Sequence, residues 1–294
     1  MASYISCEAL FDLFALYGNK ADKSWSFEKK FNFYLENSKI FDYRQQQSSS
    51  VNIKERWELK DDEFIIKNKE TIRDIAKNLY TPDEPSISKS FDYISVLGGG
   101  QISNLKRVKF LKENLLKTIK NKPSVHNPIL ALTGERYLTA QELQDMKGAN
   151  LKTEFELMSN AISQNFESEK AVEQKGNAYT TRALEFYTNE LACPIFNYEI
   201  KEKNKHRPTT TDTLYFLKNT YLDKNNVSIL FISSELYVLY QYFTIVNYFK
   251  DYPYDIYCTG PKFDYDNYSG PFAIFPQNIR STLLKIEVLL NNFN

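Results

Sequence analysis

Ser95-Val96-Leu97-Gly98-Gly99-Gly100-Gln101 is an apolar run that leads into three glycines and then into a helical pattern. The chain has only 9 glycines among its 294 residues, so three in succession need a physical reason. A strand that ends in glycine before a helix presents free backbone N–H groups and the positive end of the helix dipole to an anion. A side chain there would keep a phosphate or carboxylate from the amides and would exclude the positive φ values that such a loop uses. We therefore predict an anion site at Gly98, Gly99 and Gly100.

The glycine stretch differs from both common nucleotide-binding motifs. GGGQIS lacks the third glycine of GxGxxG, and no GK[ST] follows as in a P-loop. The next segment, residues 101–122, carries seven basic residues and one acidic residue, which favours an anion close by. The alternative is a tight strand-to-helix turn without a ligand.

Short apolar runs alternate with helical patterns from residue 91 onward. Five runs predict strands: Tyr93–Leu97, Ile129–Leu132, Ile195–Ile200, Val227–Ile232 and Ile256–Cys258. Helices are predicted after the glycines, at capping boxes that start with Thr139 and Thr153, near residues 181–191, from Thr209, at residues 235–249 and at residues 279–290. This alternation predicts an α/β domain with a Rossmann-like, doubly wound and mostly parallel sheet, whose ligand crevice lies at the carboxyl ends of the strands.

The first 85 residues have a different pattern. Apolar stripes with helical spacing occur at Leu10, Leu13, Phe14 and Tyr17, at Phe27, Phe31 and Tyr34, and over residues 66–79. Two prolines in residues 81–86 end the helix before them. We therefore predict a helical N-terminal extension over residues 1–85 and the α/β domain over residues 86–294.

Composition narrows the classes of function. The 37 Lys and Arg residues balance 37 Asp and Glu residues, so no global field attracts nucleic acid or an anionic membrane. Cys7, Cys193 and Cys258 lack CxxC spacing, which favours a reducing compartment, and we expect no metal site. No signal peptide is recognisable, and residues 227–249 are too polar for a spanning helix. We expect a cytoplasmic protein, although a signal read by a dedicated secretion system would escape this argument.

The order of several short motifs resembles the YdcF/SanA/ElyC family of bacterial Rossmann-like proteins. That family has a strand ending in three glycines with an Arg in the next helix, a strand ending in Ser/Thr-Gly, an acidic helix, a Glu before an Asn/Thr-rich helix start, and a strand ending in Thr-Ser. The matching positions are Gly98–Gly100 with Arg107, Thr133-Gly134, residues 153–158, Glu199 or Glu202 with residues 209–213, and Ser233-Ser234.

The resemblance covers about residues 91–260 and implies a nucleotide-like ligand, with S-adenosylmethionine among the candidates. It implies ligand contacts from residues that follow several strands: Gly98, Gly99, Gly100, Arg107, Thr133, Gly134, Thr210, Ser233 and Ser234. After the last motif, Glu235-Leu236-Tyr237 stands where the family has a His.

His206, Glu135 and Asp212 are the candidate catalytic residues. His206 precedes the threonine-rich helix start, and an imidazole titrates closest to neutrality. His126 lies before Pro128, where we expect a solvated surface loop. Glu135 could reach the crevice or form a surface salt bridge with its neighbour Arg136.

Three functions remain open from the sequence. The first is a protein that binds a phosphate- or carboxylate-bearing, nucleotide-like small molecule at the glycine loop and acts on it as a transferase or hydrolase. The second is a non-enzymatic binding or interaction protein that has lost the family's catalytic groups. The third is a partner-directed protein whose N-terminal helices dock elsewhere.

Overall fold

The computed structural model describes residues 6–48, 54, 56–79, 89–120, 123–124, 127–139, 142–143, 151–168, 170–201, 208–222 and 226–292. The chain divides into two compact units. The helical unit comprises residues 1–83, 235–243 and 262–294, and the sheet unit comprises residues 84–234 and 244–261. The helical unit thus contains two later segments that the sequence analysis grouped with the α/β domain.

The N-terminal segment is helical, as its apolar stripes predict. Its elements are α1 (Cys7–Leu16), α2 (Phe27–Asn37), a 3-10 turn (Ser38–Phe41), α3 (Tyr43–Gln47), a 3-10 turn (Arg56–Glu58), α4 (Glu63–Lys67) and α5 (Lys69–Leu79). Ser6 caps α1 and Ser26 caps α2, each through a side-chain oxygen that accepts from the first turn. Leu10, Leu13 and Phe14 are buried as expected, whereas Phe27 is 63% exposed.

A seven-stranded mixed sheet forms the sheet unit, with the order β3-β4-β5-β2-β1-β6-β7. Its strands are β1 (Tyr93–Leu97), β2 (Ile129–Gly134), β3 (Lys170–Lys175), β4 (Thr180–Tyr187), β5 (Ile195–Ile200), β6 (Ser228–Ile232) and β7 (Asp255–Thr259). All five strands predicted from apolar runs are confirmed. They pair in parallel, and β3 and β4 add an antiparallel edge beside β5.

Strand β1 lies inside the sheet and is buried along its whole length. Ser95 pairs with Leu130 of β2 on one side and with Phe231 of β6 on the other. Strands that are covered on both faces are typically continuous apolar runs, which is why they were recognisable in the sequence.

The predicted helix near residues 181–191 is wrong, because this segment contains strand β4. Ala183 and Phe186 are buried and lie three residues apart, which imitates helical spacing. In the structure β4 lies between β3 and β5, and Arg182 reaches across to Glu199 of β5. The Gly176-Asn177 dipeptide in the turn before β4 is a hairpin signal that the sequence analysis did not use.

The remaining helices follow strands. They are α6 (Gln101–Phe110), which continues as a π-helical turn (Leu111–Leu115), α7 (Leu116–Thr118), α8 (Glu154–Phe166), α9 (Thr210–Thr220), α10 (Glu235–Tyr248) and α11 (Ile274–Asn291). Apolar residues of α6 and α8 pack with β1 and β2 in one core, which includes Val108, Met158, Val96 and Ala131. The predicted capping box of Thr153 and Glu156 is confirmed at the start of α8.

Helix α11 completes the core of the helical unit. Arg280 of α11 donates from Nη1 to the carbonyl oxygen of Leu35 at 3.2 Å and to Ser38 Oγ at 3.0 Å. The backbone N–H of Arg44 donates to Gln277 Oε1 at 2.7 Å. These bonds explain why the last helix belongs with the N-terminal helices. No helix in the described part of the chain has the length and apolar character needed to cross a membrane.

Candidate functional site

The three glycines connect β1 to α6 at the carboxyl end of the sheet. The N–H of Gly98 donates to the carbonyl oxygen of Leu132, 2.8 Å away, and extends the ladder between β1 and β2. Gly100 is the N-cap of α6 and supplies no side-chain acceptor, and the first turn of α6 has no acidic residue. The backbone N–H groups in the first turn of α6 therefore have no side-chain carboxylate or hydroxyl from the N-cap to bind.

The backbone of this loop differs from the expected one. Among the described glycines only Gly18 has a positive φ, of 83°, so the predicted positive φ values in the glycine loop are wrong. Close approach of charged side chains explains the glycines instead. A Cβ atom on Gly98 would overlap Glu154 Oε1, and one on Gly99 would lie 3.0 Å from Arg107 Nη1. A Cβ atom on Gly100 would remain 3.4 Å from Glu142 Oε1.

Arg107 holds the glycine loop from inside the protein. Its Nη1 atom donates to the carbonyl oxygens of Leu97 at 2.6 Å and Gly98 at 2.7 Å. Its Nε atom donates to Ser234 Oγ at 3.1 Å, which ties the loop after β1 to the residue after β6. Arg107 is only 4% exposed, so its guanidinium orients the loop from the buried side. The resemblance implied direct ligand contact for this residue.

A network of three charged residues lies beside the loop. Arg136 binds both carboxylate oxygens of Glu142 at 2.9 Å, and its Nε atom donates to Glu154 Oε2. Glu154 Oε1 also accepts from the N–H of Gly134 at 3.2 Å. Arg136 is buried and pairs with these two carboxylates, which corrects the expectation of a surface pair with the exposed Glu135.

Both Arg136 and Glu142 are held in their charged forms. Burial opposes ionisation of Glu142, but hydrogen bonds from Arg136 and Thr139 outweigh it and keep the pKa of Glu142 below its ordinary value. Burial likewise acts to lower the pKa of Arg136, and its bonds to Glu142 and Glu154 raise that pKa above the ordinary value. Arg136 and Glu142 are therefore both ionised at neutral pH.

A second ion pair lies on the neighbouring strands β4 and β5. Arg182 Nε donates to Glu199 Oε2 at 2.8 Å, and its Nη2 donates to Thr153 Oγ1 at 3.2 Å. Glu199 is 4% exposed. One of the two acidic positions suggested by the resemblance is thus engaged in an ion pair, and the other, Glu202, lies outside the described residues.

The other predicted residues have local bonding roles. Thr133 is fully buried and donates from Oγ1 to the carbonyl oxygen of Tyr198 at 2.8 Å. Asp212 accepts from both the N–H and the hydroxyl of Thr209 at 2.8 Å, which closes a capping box on α9, and Thr210 is the first residue of that helix. Ser233 is fully buried, and its hydroxyl has no hydrogen-bond partner among the described residues. His206 and His126 lie outside the described residues.

The structure thus assembles part of the predicted site and adds residues that the sequence analysis missed. Gly98 to Gly100, Arg107, Thr133, Gly134 and Ser234 lie along the carboxyl ends of β1, β2 and β6. Glu142 and Glu154 were recognised only as parts of helix starts, and no local pattern indicated that Arg136 joins them. No group of three or more His, Cys, Asp or Glu side chains able to hold a metal occurs in the described ranges.

Comparisons with known protein families, with curated proteins and with solved structures returned no match.

Proposed function

We propose that the sheet unit is a Rossmann-like, YdcF-like domain that binds a phosphate- or carboxylate-bearing, nucleotide-like small molecule at the glycine loop. The sheet order supports the fold proposal. Strand β1 lies between β2 and β6. The strands β2 to β5 thus lie on one side of β1, and the later strands β6 and β7 lie on the other side. Such a reversal leaves a crevice outside the carboxyl ends of the two diverging strands, where open α/β sheets bind ligands.

One observation carries the ligand proposal: α6 starts without a side-chain cap, whereas α8 and α9 each start with a capping box. Glu156 and Asp212 complete capping boxes on those two helices. Gly100 stands at the N-cap of α6, where those helices have Thr153 and Thr209, and it has no side chain that could accept from the first turn. The carbonyl oxygens of Leu97 and Gly98 accept from Arg107, so they are directed away from an anion that approaches the amides. An exogenous anion can therefore complete the first turn of α6.

The carboxylates beside the loop favour a ligand with hydroxyl groups as well as an anionic group. Glu142 Oε1 lies closest to the open side of Gly100. A carboxylate repels a second anion but accepts hydrogen bonds from sugar hydroxyls, as in dinucleotide-binding folds. A nucleoside phosphate, a sugar nucleotide or S-adenosylmethionine supplies both kinds of group.

A substitution at Gly100 tests this proposal. Gly100→Asp adds an N-cap carboxylate that competes with the ligand for the same amides, and Asp is a favourable N-cap residue. We expect binding of AMP, UDP-glucose or S-adenosylmethionine, whichever raises the melting temperature of the parent, to fall at least tenfold by calorimetry. Gly100→Ala is the matched control, because it adds no acceptor and its Cβ would meet Glu142 at an ordinary contact distance of 3.4 Å. Equal binding by the parent and Gly100→Asp would refute the glycine-loop site.

Gly99→Val is a poorer test of the same site. Its Cβ would meet the guanidinium of Arg107 at 3.0 Å, so loss of binding would also follow from a displaced Arg107.

A transferase or hydrolase activity on this ligand requires a general acid or base. The described carboxylates Glu142, Glu154 and Asp212 already accept hydrogen bonds from the protein, and Glu135 is exposed. His206 remains the candidate for proton transfer. We expect His206→Ala to lower turnover by about 100-fold or more while ligand affinity stays within a few-fold.

Because these carboxylates already bind protein groups, a second function is also supported, a non-enzymatic ligand-binding protein. The two functions differ in one measurement. If the parent binds a nucleotide-like ligand but leaves it chemically unchanged in a mass-spectrometric assay, the binding protein is the correct reading. Turnover that survives in His206→Ala would instead exclude His206 as the proton-transfer group.

A further inference from the structure

The helical unit contains a cavity of about 450 Å³, a volume within the ordinary range of small-molecule sites. Helices α1, α2 and α11 form most of its wall, together with residues 21–23 and Phe243 of α10. Every lining residue belongs to the helical unit. This cavity is therefore separate from the glycine loop of the sheet unit.

The inner wall of the cavity is apolar. Leu10 of α1, Phe31 of α2, Phe243 of α10 and Leu283 and Ile286 of α11 line it, and all five are buried. Filling such a space with hydrocarbon removes apolar surface from water and restores dispersion contacts that an empty cavity lacks. The interior thus favours an occupant with an extended apolar body.

The mouth of the cavity carries charges of both signs, but its acidic groups are already engaged. Asp22 accepts from the N–H and the hydroxyl of Ser24 at 2.8 and 2.7 Å. Glu8 lies in the first turn of α1, where the helix dipole favours a negative charge. Neither acidic group needs a further cation.

The two lysines at the mouth form no salt bridge with a carboxylate of the described residues, although Lys30 also interacts electrostatically with Asp22. Lys23 Nζ lies 4.8 Å from the centre of the Phe11 ring, and Lys30 Nζ donates to the carbonyl oxygen of Lys23 at 2.7 Å. A ring face and a carbonyl oxygen attract a cation but do not neutralise it. The mouth can therefore accept one additional anionic group beside Lys23 and Lys30.

We propose that this cavity binds a fatty acid as its carboxylate. The hydrocarbon chain lies between α1, α2 and α11, and the carboxylate lies at the mouth beside Lys23 and Lys30. The apolar interior suits the hydrocarbon chain, and the two lysines without a salt bridge at the opening suit the carboxylate.

Cys7 provides a built-in reporter for occupancy. It lines the cavity and is exposed, whereas Cys193 and Cys258 are buried. We expect saturating dodecanoate, below its micelle concentration, to slow alkylation of Cys7 by iodoacetamide at least tenfold in the full chain, as measured by peptide mass spectrometry. Dodecyltrimethylammonium, which has the same chain and the opposite charge, should require at least tenfold more ligand for the same protection. The two buried cysteines report in the same spectra whether the protein stays folded.

Variants at the mouth separate charge recognition from general apolar binding. The pair Lys23→Gln and Lys30→Gln should weaken dodecanoate binding about tenfold or more, because it removes both cations. Lys29→Gln is the matched control, since Lys29 lies on the same helix over the Trp25 ring at 4.2 Å and does not line the cavity. Ala21→Leu, which adds volume to the wall, should reduce binding of both amphiphiles.

The proposal is overturned by any of three results. Dodecanoate could leave the alkylation rate of Cys7 unchanged, both amphiphiles could protect at the same concentration, or Lys29→Gln could weaken binding as much as the lysine pair does. The lysine variants alter exposed or half-exposed side chains, so they keep the test decisive if Ala21→Leu does not fold.

Discussion

Arg107 donates from Nη1 to the carbonyl oxygen of Gly98 across 2.7 Å, and it does so from nine positions further along the chain. The bond fixes the backbone of Gly98, which lies between the end of β1 and the start of α6. A buried guanidinium in this place acts on the shape of the loop, and the loop in turn presents the amides of α6.

Replacing Arg107 with Met should destabilise the sheet unit. The change leaves the carbonyl oxygens of Leu97 and Gly98 without their donor, and each orphaned buried acceptor costs about 1–3 kcal/mol. Urea unfolding followed by circular dichroism measures the loss. Lys106→Met is the control, because Lys106 is the exposed neighbour on the same helix. Equal unfolding midpoints for the two variants would contradict this account of Arg107.

Gly98→Ala should also be destabilising, by about 1–3 kcal/mol, because the new methyl group overlaps the Glu154 carboxylate. Glu154 is the closer of two neighbours, since the Cα atom of Thr133 would lie 3.0 Å from the new methyl group, so positions 98 and 154 should be coupled. In a double-mutant cycle with Glu154→Ala, the cost of Gly98→Ala should fall well below its cost in the parent. Additive effects of the two changes would show that the contact does not determine the glycine.

Stability that depends on Glu142 should disappear in acid. The pKa of Glu142 is lower in the folded protein than its ordinary value of 4.5, so its stabilisation is complete above that pH and is lost as the pH falls through the folded-state pKa. We expect Glu142→Gln to lower the unfolding free energy by about 1.5–3 kcal/mol at neutral pH.

The difference between parent and Glu142→Gln should shrink as the pH is lowered beyond 4.5, when measured by urea unfolding at a series of pH values. Glu135→Gln serves as the control, because Glu135 is exposed. A difference that stays constant into strong acid would contradict the ion-pair explanation.

Cys7 and Cys258 should differ sharply in reactivity. Burial raises the pKa of the Cys258 thiol to about 12, and the charge of Arg107 only partly opposes this shift. At mildly alkaline pH, iodoacetamide should therefore label Cys7 in the native protein and Cys258 only after unfolding in guanidinium chloride. Labelling of Cys258 at the rate of Cys7 without denaturant would show that the strand β7 is not covered.

The strands at the centre of the sheet were predictable because their environment is uniform. Val96 and Ala131 lie on strands that are covered on both faces, so nearly every position is apolar and the run stands out in the sequence. Strand β4, which is second from the edge of the sheet, has no such uniformity. Its exposed and half-exposed positions include Arg182 and Glu185, and pairing with β5 determines its conformation more than local preference does.

The site was predictable only where backbone geometry determines it. Three glycines between a strand and a helix indicated the turn and the uncapped start of α6. The contact of Arg136 with Glu154 joins residues 18 positions apart, and neither residue type carries a local signal for it. The cavity of the helical unit was missed for the same reason, since its wall combines α1 with α11.

The helical unit is discontinuous along the chain, and this determines the order in which its parts can assemble during synthesis. The N-terminal helices leave the ribosome first, but α11 supplies the partners of Leu35, Ser38 and Arg44 from 233 to 245 positions further along the chain. Residues 84–234 of the sheet unit are translated in the interval. The nascent N-terminal segment therefore carries an unfinished apolar core through most of translation, and it is in this interval that a holdase chaperone would find its binding site.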